Sequence, residues 1–429
     1  MNKKLAGFLA AALCAVTSAA SAAPPPIDIG EAVQLTLKDN AALRSLRQEL
    51  VKAQAFKLQA DGTLLPSVSA GGTIDTQREP QTTDGSDRSG SRSANATLEQ
   101  VIYSGGKNSA QRAQSPQVKT IAEMAVADGE NSAVGELYAR FYDVLLKKKQ
   151  IEAELDAVAT SELHLRQVTQ MAELGLANKL EVIRAGQQLA TNTANLATAR
   201  GLHETSVISL MNYMAIEPQQ RREVVGELYE PAISGDRMES LALAEKFRAD
   251  RLQLQEQLRY QENQIKIERS GMLPKVTAGL SSGWSNPYRQ QDRSSDSWRA
   301  EVSLAVPIFD RNVTRSAVIS ARAVREQDQI ALEQKTLDIK SEVETAWSDI
   351  ETSLRSLRAS EKALELAKET LRLAEVGYRE GVTPQLDLLD AQSSLTLVQL
   401  EYNRAQYSHL IAVVALKVTE GTVIQWNGK

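Results

Sequence analysis

The chain has 429 residues, a formal net charge of −5 at pH 7, 4% aromatic residues and one cysteine. This acidic balance argues against a nucleic-acid partner. The cysteine, Cys14, lies in the N-terminal leader, so we expect a mature chain without a thiol or a disulfide. We also expect no lipid anchor, because Leu13 is not the small residue that lipoprotein processing requires before the cysteine.

The first 22 residues have the three-part layout of a secretory signal peptide. Lys3 and Lys4 form a basic start, an apolar run follows, and the small-residue exit "ASA" ends at Ala22, where we expect cleavage. No later stretch approaches the 18 or so apolar residues of a membrane helix, since the longest is "LIAVVALKV" at 410–418. The exported product is therefore either soluble in the periplasm or held in a membrane by strands.

The mature chain is a duplication. The stretch around Pro66, "LLPSVSAGG", aligns with "MLPKVTAGL" around Pro274 at an offset of 208 residues, and beyond the strands that follow the offset is 206, which pairs Gly175 with Gly381. A repeat of this length defines the architecture. It predicts five parts: a signal peptide at 1–22, a first structural repeat at 23–215, a connector at 216–238, a second structural repeat at 239–421 and a tail at 422–429.

Each half has the predicted order helix, strand, polar loop, strand, very long helix, turn and long helix. Residues 311–376 contain neither Gly nor Pro, and apolar residues recur there on steps of three, four and seven, which is typical of a coiled coil. A helix of about 65 residues would be roughly 100 Å long. Pro116 interrupts the first half, and we expect a kink or a late helix start there.

The strands alternate strongly between apolar and polar residues. One face of "WRAEVSLAVPI" is wholly apolar, and its positions are Trp298, Ala300, Val302, Leu304, Val306 and Ile308. The first half repeats this face more weakly at Ala94, Ala96, Leu98 and Ile102. A soluble sheet with one buried face would explain any single strand of this kind.

Four features together favour membrane-spanning strands instead. The strands are about 10 residues long, Trp284 and Trp298 lie near loop ends, the opposite face is polar, and the loops are long, charged and rich in Gly and Ser. Four strands cannot close a barrel, because the smallest membrane barrels have about 8. Open edges are not tolerated in lipid, so we expect the chain to oligomerise.

In this order the features resemble the TolC family of outer membrane factors over nearly the whole mature chain. The resemblance rests on the duplicated plan, the Leu-Pro pairs at 65–66 and 273–274, the strand exits "IYSGG" and "PIFDRN", and the tip segment "YREGVTPQLDLLDAQSSL" at 378–395. It implies a mainly α fold with a membrane β-barrel: a homotrimer with a 12-stranded β-barrel in the outer membrane lipid and an α-barrel of long coiled-coil helices across the periplasm of a Gram-negative cell. The strand exits, with Gly105, Gly106 and Pro307, would then be the junctions between the two barrels.

The resemblance also implies a function. The chain would be the passive exit duct of a tripartite efflux or type I secretion system, opened at its periplasmic tip by an adaptor (membrane fusion) protein and an inner-membrane transporter of RND or ABC type. The residues do not distinguish among drug, metal ion and protein cargo. A second hypothesis, from another class, is a periplasmic structural coiled-coil protein without channel activity.

The tip carries the site residues that the resemblance implies. Adaptor docking is assigned to Leu174, Gly175, Leu176, Gly381 and Val382. A selectivity ring at the narrowest part is assigned to Asp387 and Asp390, with Glu181 as the first-half counterpart of Asp387, and tip helix packing is assigned to Tyr378. Six carboxylates from three chains would favour cations and repel anions. On the residues alone, the favoured explanation of these acids is an exposed helix N-terminus, where the helix dipole stabilises negative charge.

Two positions depart from the family pattern and put its latch chemistry in doubt. Thr383 stands where some relatives have a latching arginine, and Arg184 occupies the first-half counterpart of Asp390. The three histidines are isolated in sequence from Cys and from clustered carboxylates, so we interpret His164, His203 and His409 as helix-surface or packing residues. The sequence therefore predicts no enzyme activity, no cofactor and no metal site.

Overall fold

The structure is a computed structural model that describes residues 25–77, 89–233, 235–288 and 294–426; the predicted signal peptide lies outside these ranges. Eight α-helices and four strands follow one another in the described chain: α1 Ile29–Asp39, α2 Ala41–Gly62, β1 Ser67–Gln77, β2 Ser89–Ser104, α3 Lys107–Glu173, α4 Lys179–Tyr213, α5 Arg237–Phe247, α6 Ala249–Arg269, β3 Lys275–Tyr288, β4 Ser295–Ala305, α7 Val313–Arg379 and α8 Gln385–Glu420. Among the described helices, none combines the length and apolar content needed to cross a bilayer.

The helix expected before each pair of strands is two helices. Asn40 separates α1 from α2 in an extended conformation, and its side chain accepts hydrogen bonds from the amides of Ala42 and Leu43. Arg248, at an offset of 208, has the same extended conformation between α5 and α6. An extended residue ends the first helix in both halves, but only Asn40 caps the second helix with its side chain. The second short helix of the repeat, α5, begins at Arg237, inside the stretch predicted as a connector.

The long helices confirm the coiled-coil prediction, since α3 and α7 each have 67 residues. The expected late start near Pro116 is wrong, because α3 begins at Lys107 and continues through the proline. Proline has no amide to bond the carbonyl of Arg112 four residues earlier. The Ser115 hydroxyl donates to the Arg112 carbonyl at 3.0 Å, so this carbonyl has a hydrogen-bond donor although Pro116 supplies none.

The strands form one antiparallel sheet in the order β1-β2-β3-β4. Directly opposed residues share a face, and the register aligns Val68 with Leu98, Leu98 with Leu280 and Leu280 with Ala300. One face is consequently mainly apolar along all four strands, and its largest apolar side chains are exposed in the single chain: Val68, Ile74, Leu98, Leu280, Trp284, Trp298, Val302 and Leu304. The other face carries serines, threonines and the charged residues Glu99, Arg299 and Glu301.

Two details of the strand prediction are wrong. Strand β4 ends at Ala305, so Val306 and Ile308 lie beyond it in the segment that leads to α7. Strand β2 has a bulge between Val101 and Tyr103, and Tyr103 instead of Ile102 stands opposite Val276. An extra residue in one strand shifts all later side chains by one position, which alternation along a single strand does not reveal.

The largest buried cluster lies midway along α3, where the C-terminal ends of α4 and α8 pack against it. It joins α1, α3, α4 and α8 to the connector, where Ile27 bridges to Val224, and its most buried members include Val134, Leu137, Phe141, Leu210 and Leu410. The helix hairpins extend from this cluster in one direction and the sheet lies in the other. The connector segment therefore fixes the two halves to each other away from both the sheet and the helix turns.

Candidate gate at the helix-hairpin tip

The turn between α3 and α4 is a glycine-terminated helix end. The amide of Leu176 donates to the Met171 carbonyl at 2.8 Å and the amide of Gly175 to the Ala172 carbonyl at 3.0 Å. This pair of bonds satisfies carbonyls that the helix end leaves free, and it requires a left-handed residue at the glycine position. Gly175 has φ of 76°, and nothing lies within 4 Å of a Cβ added there. The glycine is therefore required by its backbone conformation and not by lack of space.

The turn between α7 and α8 repeats this arrangement 206 residues later. Val382 donates to the Gly377 carbonyl at 2.8 Å, and Gly381 donates to the Tyr378 carbonyl at 3.1 Å with φ of 73°. The amide of Thr383 also donates to the Gly377 carbonyl at 3.0 Å, and a Cβ on Gly377 would overlap the Thr383 hydroxyl. Thr383 therefore packs within its own turn. Both turn glycines therefore have the left-handed backbone conformation that this type of helix end requires.

The predicted docking residues include three exposed apolar side chains at the two turns. Leu174 is 75% exposed, Leu176 is 70% exposed and Val382 is 81% exposed. Large apolar side chains with this exposure contribute little to the packing of the single chain. They are available to a partner, while Gly175 and Gly381 set the backbone that presents them.

The predicted ring acids are not all in equivalent settings. Asp387 and Asp390 are exposed in the first two turns of α8, and Leu388 and Leu389 beside them are buried. The buried leucines anchor the helix, so the two carboxylates share the opposite face. Glu181 is half-buried at the start of α4 and accepts a 2.8 Å hydrogen bond from the Asn178 side chain.

Asn178 explains why Glu181 differs from Asp387. The Asn178 side-chain oxygen accepts from the Glu181 amide at 3.0 Å, so the two residues form a local cap on α4. Its counterpart at the start of α8 is Pro384, which makes no side-chain cap. The Glu181 carboxylate is thus engaged within its own turn, whereas Asp387 remains open to solvent. Arg184, the counterpart of Asp390, is exposed.

A buried polar cluster just behind these turns was missed from the sequence. The Gln385 side-chain nitrogen lies 3.1 Å from Nε2 of His164 and donates to the Glu181 carbonyl at 3.0 Å. The Tyr378 ring contacts the His164 ring at a centroid distance of 5.6 Å and an angle of 63°. Four helices contribute one residue each, and the bonded pair is separated by 221 residues of chain. No local motif signals such a contact.

Burial shifts the pKa of two members of this cluster. Burial lowers the pKa of His164, because the charged imidazolium loses its hydration. Burial also raises the pKa of Tyr378, and the charge of Glu181 raises it further. Both side chains are therefore held in their neutral forms near pH 7. His164 is therefore a buried packing residue between helices, which is one of the two roles predicted for it from the sequence.

The two strand-to-helix junctions use the same backbone geometry with different residues. Gly105 and Gly106 have φ of 62° and 84°, and their counterparts at the offset of 206, Arg311 and Asn312, have φ of 58° and 66°. A Cβ on Gly105 would lie 2.7 Å from that of Leu273, so glycine is also required by close approach there. The residue assigned to the second junction, Pro307, lies upstream of the left-handed pair. Aligning "SGG" with "DRN" would have identified the pair.

Each junction also has a side-chain cap at an equivalent position. Ser104 accepts from the Asn108 amide at 3.1 Å, and Asp310 accepts from the Thr314 amide at 2.7 Å. The other predicted interface residues lie at the far end of the sheet. Trp284 and Trp298 project from the apolar face near the loop that joins β3 and β4, and Trp298 is 77% exposed.

Comparison with known proteins places this geometry in a family. The sequence profile of outer membrane efflux proteins matches residues 32–215 and 241–422. The chain is 24% identical over 409 residues to the pyoverdine export outer membrane protein OpmQ of Pseudomonas putida, which covers 92% of this chain and 85% of the relative. A membrane protein from Pseudomonas aeruginosa has the same fold, with a TM-score of 0.78 at 21% identity over 91% of this chain and 93% of that chain.

The Campylobacter jejuni CmeC outer membrane channel also shares the fold, with a TM-score of 0.77 at 15% identity over 92% of this chain and 86% of that chain. At these identities the structural likenesses establish the fold alone. They confirm the predicted fold class of long helical hairpins joined to a four-stranded sheet.

Proposed function

The chain belongs to the outer membrane efflux protein family, and from this membership we propose that three copies form the passive exit duct of a tripartite export system. It is an outer-membrane protein with a periplasmic extension. The observation that carries the proposal is the exposed apolar face of the sheet, which is continuous over four strands and has open edges at β1 and β4. Lipid tolerates such a sheet only when its edges are paired. Three chains supply twelve strands and close it.

The long helices continue the duct into the periplasm. Helices of 67 residues reach roughly 100 Å at 1.5 Å per residue. The sheet lies at one end of these helices and the glycine turns at the other. This arrangement supports a tip that faces an adaptor protein and an inner-membrane transporter of RND or ABC type, with Leu174, Leu176 and Val382 as its apolar contacts.

The ring acids supply the electrostatics of the proposed gate. Asp387 and Asp390 are exposed on one face of α8, and threefold symmetry brings six such carboxylates to the tip. A ring of negative charge attracts cations and repels anions. Glu181 contributes less, because Asn178 already engages its carboxylate. The duct itself performs no chemistry on its cargo, and the partner transporter supplies the energy.

The native mass of the protein extracted from outer-membrane fractions with detergent tests this proposal. A trimer that conducts ions in planar bilayers would support the duct. A monomer recovered in salt or carbonate washes without detergent would contradict it. A monomer of this kind would favour the second hypothesis, a periplasmic coiled-coil protein. The match to the outer membrane efflux protein family argues against that hypothesis.

A further inference from the structure

We infer that His164 and Gln385 form a pH-sensitive tie between the two helical hairpins that restrains the tip at neutral pH and releases it in acid. The inference rests on the proposed function, since it concerns the opening of the same gate. His164 belongs to the hairpin of α3 and α4, and Gln385 belongs to the hairpin of α7 and α8. Separating the hairpins at the tip breaks this contact.

Gln385 makes the two hydrogen bonds that join the hairpins near the tip, one with His164 and one to the Glu181 carbonyl. Beyond these two bonds, the next hydrogen bond between the hairpins runs from the Tyr407 hydroxyl to the Ala139 carbonyl. Ala139 precedes His164 by 25 residues, which is roughly 37 Å of helix at 1.5 Å per residue. Over this distance the described residues join the hairpins by packing alone. Loss of the bond to His164 therefore removes one of the two hydrogen bonds that join the hairpins near the tip.

The geometry fixes which atom of His164 carries a proton. The Gln385 side-chain nitrogen faces two groups, the Glu181 carbonyl at 3.0 Å and Nε2 of His164 at 3.1 Å. A carbonyl only accepts, so the Gln385 amide must turn its nitrogen toward this pair. Its two hydrogens then serve both neighbours. Nε2 of His164 must accept, and the neutral ring carries its proton on Nδ1.

Protonation of His164 is incompatible with both bonds. A proton on Nε2 would face the amide hydrogens of Gln385, donor against donor. Rotation of the amide would present its oxygen to His164 but also to the Glu181 carbonyl, acceptor against acceptor. His164 is 3% exposed and Gln385 is 6% exposed, so solvent does not readily replace the lost bond. One of the two connections is lost in either arrangement.

The groups around His164 leave it as the titrating member of the cluster. Tyr378 faces it from α7 and remains neutral, because burial raises the pKa of that hydroxyl. Glu181 lies beyond from α4 with its carboxylate bonded to Asn178, and Gln385 from α8 does not titrate. On α3 itself, the Arg166 and Glu162 pair is exposed. Burial lowers the pKa of His164, so the transition falls below its ordinary value of about 6.5.

Conductance of the purified trimer in planar bilayers at pH 7.5 and pH 5 tests the tie. We expect the wild-type conductance to rise severalfold at the lower pH. His164→Gln retains an acceptor for Gln385 without a titrating group, so its conductance should stay low at both values. Gln385→Leu removes the tie and should conduct at the higher level at both values.

Two matched controls separate the tie from general effects of acid and of lost amides. His203→Gln removes a half-buried histidine of α4 and should keep the wild-type pH response. Gln399→Leu removes an amide of α8 that bonds Asn403 within the same helix, and its conductance should match the wild type. Each variant is first checked for the trimeric mass.

The outcomes distinguish the inference from the function on which it rests. A conducting wild-type trimer whose pH response survives in His164→Gln overturns the tie and leaves the duct intact. A wild-type trimer without any pH response does the same. A chain that forms no trimer and no conductance contradicts the proposed function instead. If Gln385→Leu fails to assemble, the profile of His164→Gln still decides.

Discussion

Ala215 and Gly421 occupy the same position at the ends of α4 and α8, and both have a left-handed backbone, with φ of 58° and 75°. The amide of each donates to a carbonyl three residues earlier at 3.0 Å, Ala215 to Asn212 and Gly421 to Val418. The helix ends are thus equivalent, but one has a side chain where the other has none. Left-handed conformation costs roughly 1–2 kcal/mol for a residue with a Cβ.

We predict that Ala215→Gly stabilises the protein. Relief of the left-handed strain exceeds the roughly 0.4–1 kcal/mol of extra chain entropy that glycine gives the unfolded state. The reverse change, Gly421→Ala, should destabilise, because it adds the strain and places a Cβ 3.0 Å from the Phe247 carbonyl oxygen. Denaturant midpoints of the detergent-solubilised protein measure both. Ala190→Gly, at an exposed position inside a helix, is the control and should lower the free energy of unfolding by about 1 kcal/mol. A lower denaturant midpoint for Ala215→Gly would contradict the strain argument.

The proline in α3 gives a double-mutant prediction. Ser115→Ala should cost about 1 kcal/mol, because the Arg112 carbonyl then loses its donor in a part-buried setting. In a Pro116→Ala background the new amide can bond that carbonyl, so the same substitution should cost less. Thermal unfolding of the four proteins gives the coupling. Ser109→Ala is the control, because it removes a hydroxyl donor to the Gly106 carbonyl while the amide of Ala110 still donates to that carbonyl. Equal costs of Ser115→Ala in the wild-type and Pro116→Ala backgrounds would contradict the prediction.

The two junction caps should respond differently to pH. Hydrogen bonds from Thr314, first from its hydroxyl and then from its amide, lower the pKa of Asp310. A carboxylate whose pKa is lowered by folding stabilises the fold at pH values above the pKa that it has in the unfolded chain. This stabilisation is lost as the pH falls through its pKa in the folded protein. We expect Asp310→Asn to weaken the acid dependence of the melting temperature below about pH 4. Ser104→Ala should lower the melting temperature equally at all pH values, and a pH-dependent loss there would count against this assignment.

Charge reduction at the tip should change ion selectivity. Asp387→Asn with Asp390→Asn removes six carboxylates from the trimer, so we expect weaker preference for cations, measured as a reversal potential in a salt gradient. Glu181→Gln should have a smaller effect, because Asn178 already holds that side chain. The pair Glu361→Gln with Glu365→Gln makes the same charge change on an exposed part of α7. Unchanged selectivity in the aspartate variant would remove these residues from the gate.

The exposed apolar residues should mark the adaptor contact. A photo-crosslinking residue at Leu176 or Val382 should capture a periplasmic adaptor protein in the native cell, identified by mass spectrometry. The same residue at Leu163, which is exposed on α3 eleven residues before the turn, should not. Equal capture at Leu163 would mean that the adaptor contacts the side of the hairpin and not its tip.

The sequence by itself determined the features that repeat or alternate along the chain. The long helices and the apolar strand face follow from 3.6-residue and two-residue periods, which are local properties. The duplication follows from the nearly constant offset between the two halves, which also pairs the turn glycines at 175 and 381. The family resemblance then supplied roles for residues that these patterns only positioned.

Only the tertiary structure decided the contacts between distant segments. The His164–Gln385 tie joins residues 221 apart, and the bulge in β2 depends on its pairing with β3. Pro116 was expected to interrupt its helix, yet Ser115 supplied the missing donor. In each case the deciding energy comes from a partner that local periodicity does not specify, so packing of the whole chain had to place it.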